Sequence, residues 1–192
     1  LLSLRRVGSP AISPNGSLVA YTVRETNWDD DAYETEIWVG DANGTRRQLT
    51  RARKSSVQPA WSPDGGWLAF VSDRADKRQI YRINPNGGEA ELLTDAEEGV
   101  NGFAWSPDGK TIAFTSNEPK SEALKERDKK YGEYVVVDAD HRMAHLHVID
   151  VSSRASRRLT NGPFVVGAFS WSPDGARIAF DHRINSDPSN GG

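Results

Sequence analysis

One four-residue phrase occurs four times and constrains the fold more than anything else in the chain: Ser13-Pro14-Asn15-Gly16, Ser62-Pro63-Asp64-Gly65, Ser106-Pro107-Asp108-Gly109 and Ser172-Pro173-Asp174-Gly175. Its chemistry is that of a hairpin turn. Proline presets φ at the first corner, Asp or Asn bonds to nearby backbone, and glycine takes the left-handed conformation that other residues resist. The flanks alternate as strands do. Val19-Ala20-Tyr21, Leu68-Ala69-Phe70, Ile112-Ala113-Phe114 and Ile178-Ala179-Phe180 follow the turn, and Trp61, Trp105 and Trp171 precede it, with Ile12 in the first copy. The structural turn residues expected from this phrase are Gly16, Asp64, Gly65, Asp108, Gly109, Asp174 and Gly175.

If the strands flanking the turn are A and B, two more follow in each repeat. Strand C reads Ile37-Trp38-Val39, Ile80-Tyr81-Arg82 and Leu146-His147-Val148, and strand D ends in Leu49-Thr50, Leu93-Thr94 and Leu159-Thr160. Thr50 to Ser62, Thr94 to Ser106 and Thr160 to Ser172 are equal intervals, so the length variation falls between B and C. Four antiparallel strands repeated every ~40–45 residues make a propeller blade. A parallel solenoid lacks the two hairpins per repeat, and a single sandwich would not repeat its turn phrase. The expected fold is therefore all-β, a β-propeller fragment of about three and a half four-stranded antiparallel blades. Blade one covers about residues 5–50, blade two 54–94, blade three 99–160 with an insertion at 118–133, and half of a fourth 165–182. Propellers close with about 4–8 blades, so the chain reads as a piece of a ring. Its open edges are expected to favour self-association.

Composition removes several alternatives. No cysteine is present, which excludes zinc–thiolate sites, disulfides and a cysteine nucleophile. A net charge of −3 argues against a nucleic-acid footprint. The densest basic stretch, Arg46, Arg47, Arg51, Arg53 and Lys54, brackets a strand end and reads as a solvated edge. No apolar run approaches the ~18–20 residues of a membrane span. Asp29-Asp30-Asp31 lacks the spacing of a calcium loop. His145 and His147 share a strand face, but they fall in the columns of Glu36/Gln79 and Trp38/Tyr81, so ordinary blade positions explain them and, with His141, no metal site is assigned. No cofactor is expected. The segment from Glu118 to Glu133 is densely charged and reads as a loop or short helix, with Tyr131 and Tyr134 available to pack.

The phrase Trp-Ser-Pro-Asp-Gly, followed by Ile-Ala-Phe and closed by Leu-Thr, resembles two families: TolB-like periplasmic propellers, and the N-terminal propeller of the prolyl oligopeptidase family of serine peptidases, in its dipeptidyl-peptidase and acylaminoacyl-peptidase branches. The opening Leu1-Leu2-Ser3-Leu4-Arg5-Arg6-Val7 and the long charged insertion are more similar to the peptidases. That resemblance implies an α/β-hydrolase domain of the same parent chain as partner, a short peptide as substrate, and a propeller that gates and positions it. The chain itself has no Gly-x-Ser-x-Gly elbow, so no catalytic residue is assigned. Substrate-facing candidates come from the B–C connections: Trp28, Asp30, Tyr33, Arg127 and Tyr131. Glu97-Glu98 lacks the aromatic context of the family's amine-gripping pair, and no family site residue is carried across. The alternative is a TolB-like scaffold that binds protein partners. A bacterial-type cytoplasm and a periplasm both remain open.

Overall fold

In the computed structural model, which describes residues 4–52, 54–132 and 142–184, each Ser-Pro-Asp/Asn-Gly phrase joins two paired strands. The first sheet is β1 (Arg6–Ile12), β2 (Leu18–Asn27), β3 (Ala32–Asp41) and β4 (Arg46–Gln48). The second is β5 (Ser56–Trp61), β6 (Leu68–Ala75), β7 (Lys77–Ile83) and β8 (Glu91–Leu92). The third is β9 (Gly102–Trp105), β10 (Thr111–Asn117), β11 (Ala144–Asp150) and β12 (Ser156–Arg158), and β13 (Val165–Trp171) pairs with β14 (Ile178–Arg183). Each four-stranded sheet is ordered sequentially, every pair is antiparallel, and the arrangement is an open, partial propeller with one partial blade.

The turn works as its chemistry requires. In the second copy Ser62 Oγ donates to Asp64 Oδ1 at 2.5 Å, Gly66 N–H donates to the same carboxylate oxygen at 3.0 Å, and Trp67 N–H donates to Ser62 Oγ at 2.9 Å. Gly65 and Gly109 have φ of +72° and +70°, the left-handed region that glycine enters without a Cβ penalty. Those glycines also touch the preceding blade. A Cβ at Gly65 would meet Pro14 Cδ at 3.5 Å, at Gly109 Pro63 Cδ at 3.4 Å, and at Gly175 Pro107 Cδ at 3.5 Å.

The tryptophans step back in the same way. Trp61 Nε1–H donates to the Ala11 carbonyl at 2.9 Å, Trp105 to Ala60 at 3.2 Å and Trp171 to Ala104 at 3.2 Å. The Leu-Thr ending has an equally local cause. Thr94 Oγ1 accepts from Ile80 N–H at 2.9 Å and donates to Gln79 Oε1 at 2.7 Å. Thr50 accepts from Ile37 N–H at 2.9 Å and donates to Glu36. In the third blade Thr160 Oγ1 accepts from Leu146 N–H at 3.0 Å and lies 3.2 Å from His145 Nδ1.

The core lies between sheets. Ala20, Ile37 and Val39 of the first pack with Leu68, Phe70 and Tyr81 of the second. Val71, Ile80 and Leu93 pack with Ile112, Phe114 and Ile149 of the third. The central alanines Ala20, Ala69 and Ala113 are fully buried, because a larger side chain there would hold neighbouring sheets apart. The first strand of three blades, β1, β5 and β13 (the inner strands), carries a bulge, at 8–11, 57–60 and 166–169, two of them with a left-handed residue before proline, Ser9 at +47° and Gln58 at +55°.

The insertion contains α1 (Glu122–Tyr131). Ser121 Oγ accepts from Leu124 N–H at 3.2 Å as its N-cap, and Gly132, φ +81°, ends it. Glu122 lies in its first turn and Lys129 and Lys130 in its last, complementing the helix dipole, and the helix buries no residue. Leu1–Ser3, Arg53, Glu133, Tyr134, His141 and Asn185–Gly192 lie outside the described residues. No described helix is long and apolar enough to cross a membrane.

Candidate functional site

Because strands alternate direction, the Ser-Pro-Asp-Gly turns share one face of the molecule, and the B–C and D–A connections share the other. The second face carries the irregular, charged segments. On the β2–β3 hairpin tip, Asn27 Oδ1 accepts from Asp29 N–H at 3.0 Å and its Nδ2 donates to Asp30 Oδ2 at 2.8 Å. The aspartate run is thus folded around a neutral amide. Tyr33 lies beneath the Arg24 guanidinium, 4.0 Å from ring centroid to Cζ, and Trp28 is 65% exposed. Trp28, Asp30 and Tyr33 therefore share one tip. Arg127 and Tyr131 lie on α1 in the third blade, with the whole second blade between the two groups in chain order.

An ionic network ties α1 and its flanks to the connection between the second and third blades. Glu98 receives Arg142 at 2.5 Å and Lys77 at 3.5 Å, and Lys125 reaches Glu97 at 3.8 Å. Burial raises the Glu98 carboxyl pKa, but Arg142 and Lys77 outweigh it and hold the group below the usual carboxylate range. Glu98 is thereby committed to partners within the chain. Lys120 pairs with Asp128 at 2.8 Å, and that bond holds the Asp128 pKa down. Lys130 lies 4.8 Å from the Tyr131 ring, which is largely exposed.

His145 and His147 occupy the blade columns read from the sequence. His145 is 1% exposed, and its Nε2 lies 3.3 Å from Glu118 Oε1, which Arg158 also contacts at 2.9 Å. In the first two blades the threonine hydroxyl donates to Glu36 or Gln79, so the same donation here makes His145 Nδ1 the acceptor and places its proton on Nε2. Burial first, and Arg158 second, lower the His145 pKa against the opposing pull of Glu118. The Thr160–His145–Glu118 series looks like a nucleophile relay, but the hydroxyl is engaged with Leu146 N–H and serves the fold. Among the described residues, no group of three or more His, Asp or Glu side chains is placed to hold a metal ion.

Two concavities open near this face that sequence reasoning did not find. One, about 760 Å³, is lined by inner-strand residues including Gln58, Phe103 and Phe169, with Asn101, Asn117 and Arg142 beside them. Asn101 Nδ2 donates to Asn117 Oδ1 at 3.0 Å. The other, about 490 Å³, lies between the second and third sheets. Both are formed by residues far apart in the chain, and only the bulged Gln58-Pro59 pair gave a local sign.

Residues 5–142 match the family model for the TolB β-propeller domain. The uncharacterized peptidase YuxL of Bacillus subtilis is 33% identical over 93% of this chain and 30% of its own length. Dipeptidyl-peptidase 5 of Porphyromonas gingivalis is 27% identical over 95% of this chain and 30% of its own length. The chain thus spans about a third of each of these relatives. Among solved structures, the acylaminoacyl peptidase of Pyrococcus horikoshii superposes with a TM-score of 0.66 at 18% identity, covering 87% of this chain and 27% of that one, a likeness of fold. The propeller is related both to TolB-type and to peptidase-associated propellers.

Proposed function

The chain belongs to the TolB β-propeller domain family, and on that footing we propose that it is the non-catalytic propeller portion of a serine peptidase of the prolyl oligopeptidase family. In this reading it gates and positions short peptides for an α/β-hydrolase domain of the same parent chain. The observation that carries it is the 33% identity, over nearly the whole chain, to a protein named as a peptidase and more than three times as long as the match. The geometry is consistent. The exposed aromatic tip at Trp28 and Tyr33, the helical insertion and the 760 Å³ concavity are associated with the one face free of the tight Ser-Pro-Asp-Gly turns.

The test compares this chain with its parent, extended to the end of the reading frame, using a fluorophosphonate probe and chromogenic dipeptide substrates. The parent is expected to be labelled at a serine within Gly-x-Ser-x-Gly and to turn over substrate, and this chain to do neither. A second reading, a TolB-like scaffold for protein partners, is favoured by the family model itself. A parent that ends after a few more blades, with no labelled serine, would select the scaffold.

A further inference from the structure

At the junction of the first and second sheets, an aromatic pair is covered by a cation from within the chain. Phe70 and Tyr81 are cross-strand partners with ring centroids 5.9 Å apart. The Arg74 guanidinium lies 5.2 Å from Phe70 and 4.7 Å from Tyr81. Its Nε donates to Ser72 Oγ at 3.1 Å and Nη2 to Ser56 Oγ at 3.3 Å, with the Glu36 charge of the first sheet acting on it. This junction is a built guanidinium site, already filled by the protein.

The next junction repeats the frame with a different residue in the cation's place. Phe114 and His147 are the cross-strand pair, stacked with centroids 5.1 Å apart. Ser116 stands two residues beyond Phe114, as Ser72 does beyond Phe70, and the position of Arg74 is taken by Glu118. Glu118 turns instead to Arg158 and His145. Beside the aromatic pair lies the 490 Å³ cavity, lined also by Leu93, Asp95, Glu97 and Ile149. Ser116 is 5% exposed and lines that cavity, and among the described residues its hydroxyl makes no hydrogen bond.

Charge reverses between the two junctions as well. Thr50 is followed by Arg51-Ala52-Arg53-Lys54, whereas Thr94 is followed by Asp95-Ala96-Glu97-Glu98. Glu98 is engaged by Arg142 and Lys77, and Glu97 by Lys125 at 3.8 Å, but Asp95 carries no ion pair among the described residues. Arg154, on the cavity lining, faces Glu91 at 3.8 Å. Burial, then Arg158 and His145, lower the His147 pKa, so its ring stays neutral and can face a cation without repulsion.

We propose that the cavity between the second and third sheets binds a guanidinium group, seated on the Phe114–His147 pair, donating to Ser116 Oγ and facing Asp95. A planar guanidinium stacks on ring faces and donates sideways at once, which an ammonium does not do. The acidic connection disfavours an anion. A volume of this size admits an arginine side chain with adjoining backbone. Every residue invoked lies on this chain, so the proposal stands whether or not a hydrolase domain follows it.

The test is a titration of this chain with Nα-acetyl-arginine amide, its neutral citrulline analogue and methylguanidine, read from the His147 ring resonances by NMR and from the melting temperature. The arginine amide is expected to saturate the His147 shift in the millimolar range, with the citrulline analogue about tenfold weaker or more. Ser116→Ala and Asp95→Asn, both mild enough to leave the fold intact, should each weaken binding several-fold. Saturation by methylguanidine alone identifies free guanidinium compounds as sufficient; saturation only by the capped amino acid identifies arginine within a polypeptide. The proposal fails if no probe saturates, if citrulline binds as well as arginine, or if both variants bind like the parent chain.

Discussion

Replacing Thr94 by valine would test whether the closing threonine of each blade is a structural bond and not a sequence habit. The side chain is 2% exposed and Ile80 is fully buried, so water cannot take over the lost partners. Valine leaves Ile80 N–H, now 2.9 Å from Oγ1, without an acceptor, a cost of about 1–3 kcal/mol for a buried unsatisfied donor. Gln79 Oε1 loses the hydroxyl at 2.7 Å but keeps Ala96 N–H at 3.0 Å, a smaller loss of roughly 0.5–1 kcal/mol. The added methyl returns about 0.8 kcal/mol of burial. The net destabilisation is about 2 kcal/mol, or roughly 4–8 °C in Tm for a chain of this size. Thr94→Ser keeps both bonds and forfeits a methyl, about 1 kcal/mol. Urea denaturation followed by tryptophan fluorescence separates the two, provided the m-value is unchanged. Valine equal to wild type, or more stable than serine, would refute the reasoning.

Four further outcomes are expected. Gly109→Ala forces a Cβ into the left-handed region beside Pro63 and should cost about 1–2 kcal/mol, while Gly102→Ala, with open space around it, should cost far less; equal melting temperatures would contradict the turn geometry. Burial raises the Glu36 pKa against its Thr50 and Ala52 hydrogen bonds, so its contribution is fullest below the unfolded carboxyl value and is lost as pH rises through the folded one. Glu36→Gln, which copies the chain's own Gln79, should therefore gain stability relative to wild type as pH increases, and a pH-independent difference in urea midpoints would count against this. On its own the chain should associate at micromolar concentration through exposed strand and sheet surface near β1 and β14, where Val7, Ile12 and Phe180 are 71%, 68% and 39% exposed; a clean monomer by light scattering would oppose it. Incubated with a fluorophosphonate, the chain should remain unlabelled, and a single labelled serine would overturn its non-catalytic reading.

The blades were legible because their turns, tryptophans and threonines each answer a local chemical demand that recurs at fixed spacing. Even the His145 column could be placed, since Glu36 and Gln79 define it. The bulges were less visible. Ser9-Pro10 and Gln58-Pro59 hint at two of them, but Gly167-Ala168 gives no comparable sign. The segment 118–133 carried no apolar periodicity, so loop and helix were equally compatible with it, and capping by Ser121 and Gly132 resolves its described part. Site geometry was hidden for another reason. Whether Glu118 turns toward His145 or over Phe114 depends on Arg158, forty residues away in the chain. The partners of Glu98 are likewise non-local.

The backward reach of the tryptophans gives the molecule a direction of assembly. Trp61, Trp105 and Trp171 each donate to a carbonyl of the blade before, and Gly65, Gly109 and Gly175 each face the proline of the turn before. A blade emerging during synthesis thus finds its docking surface already made. Only its own first hairpin must form before it latches on, and nothing downstream has to wait in an unfolded state for a distant partner. Where synthesis supplies the blades in order, such nearest-neighbour contacts let them lock one unit at a time.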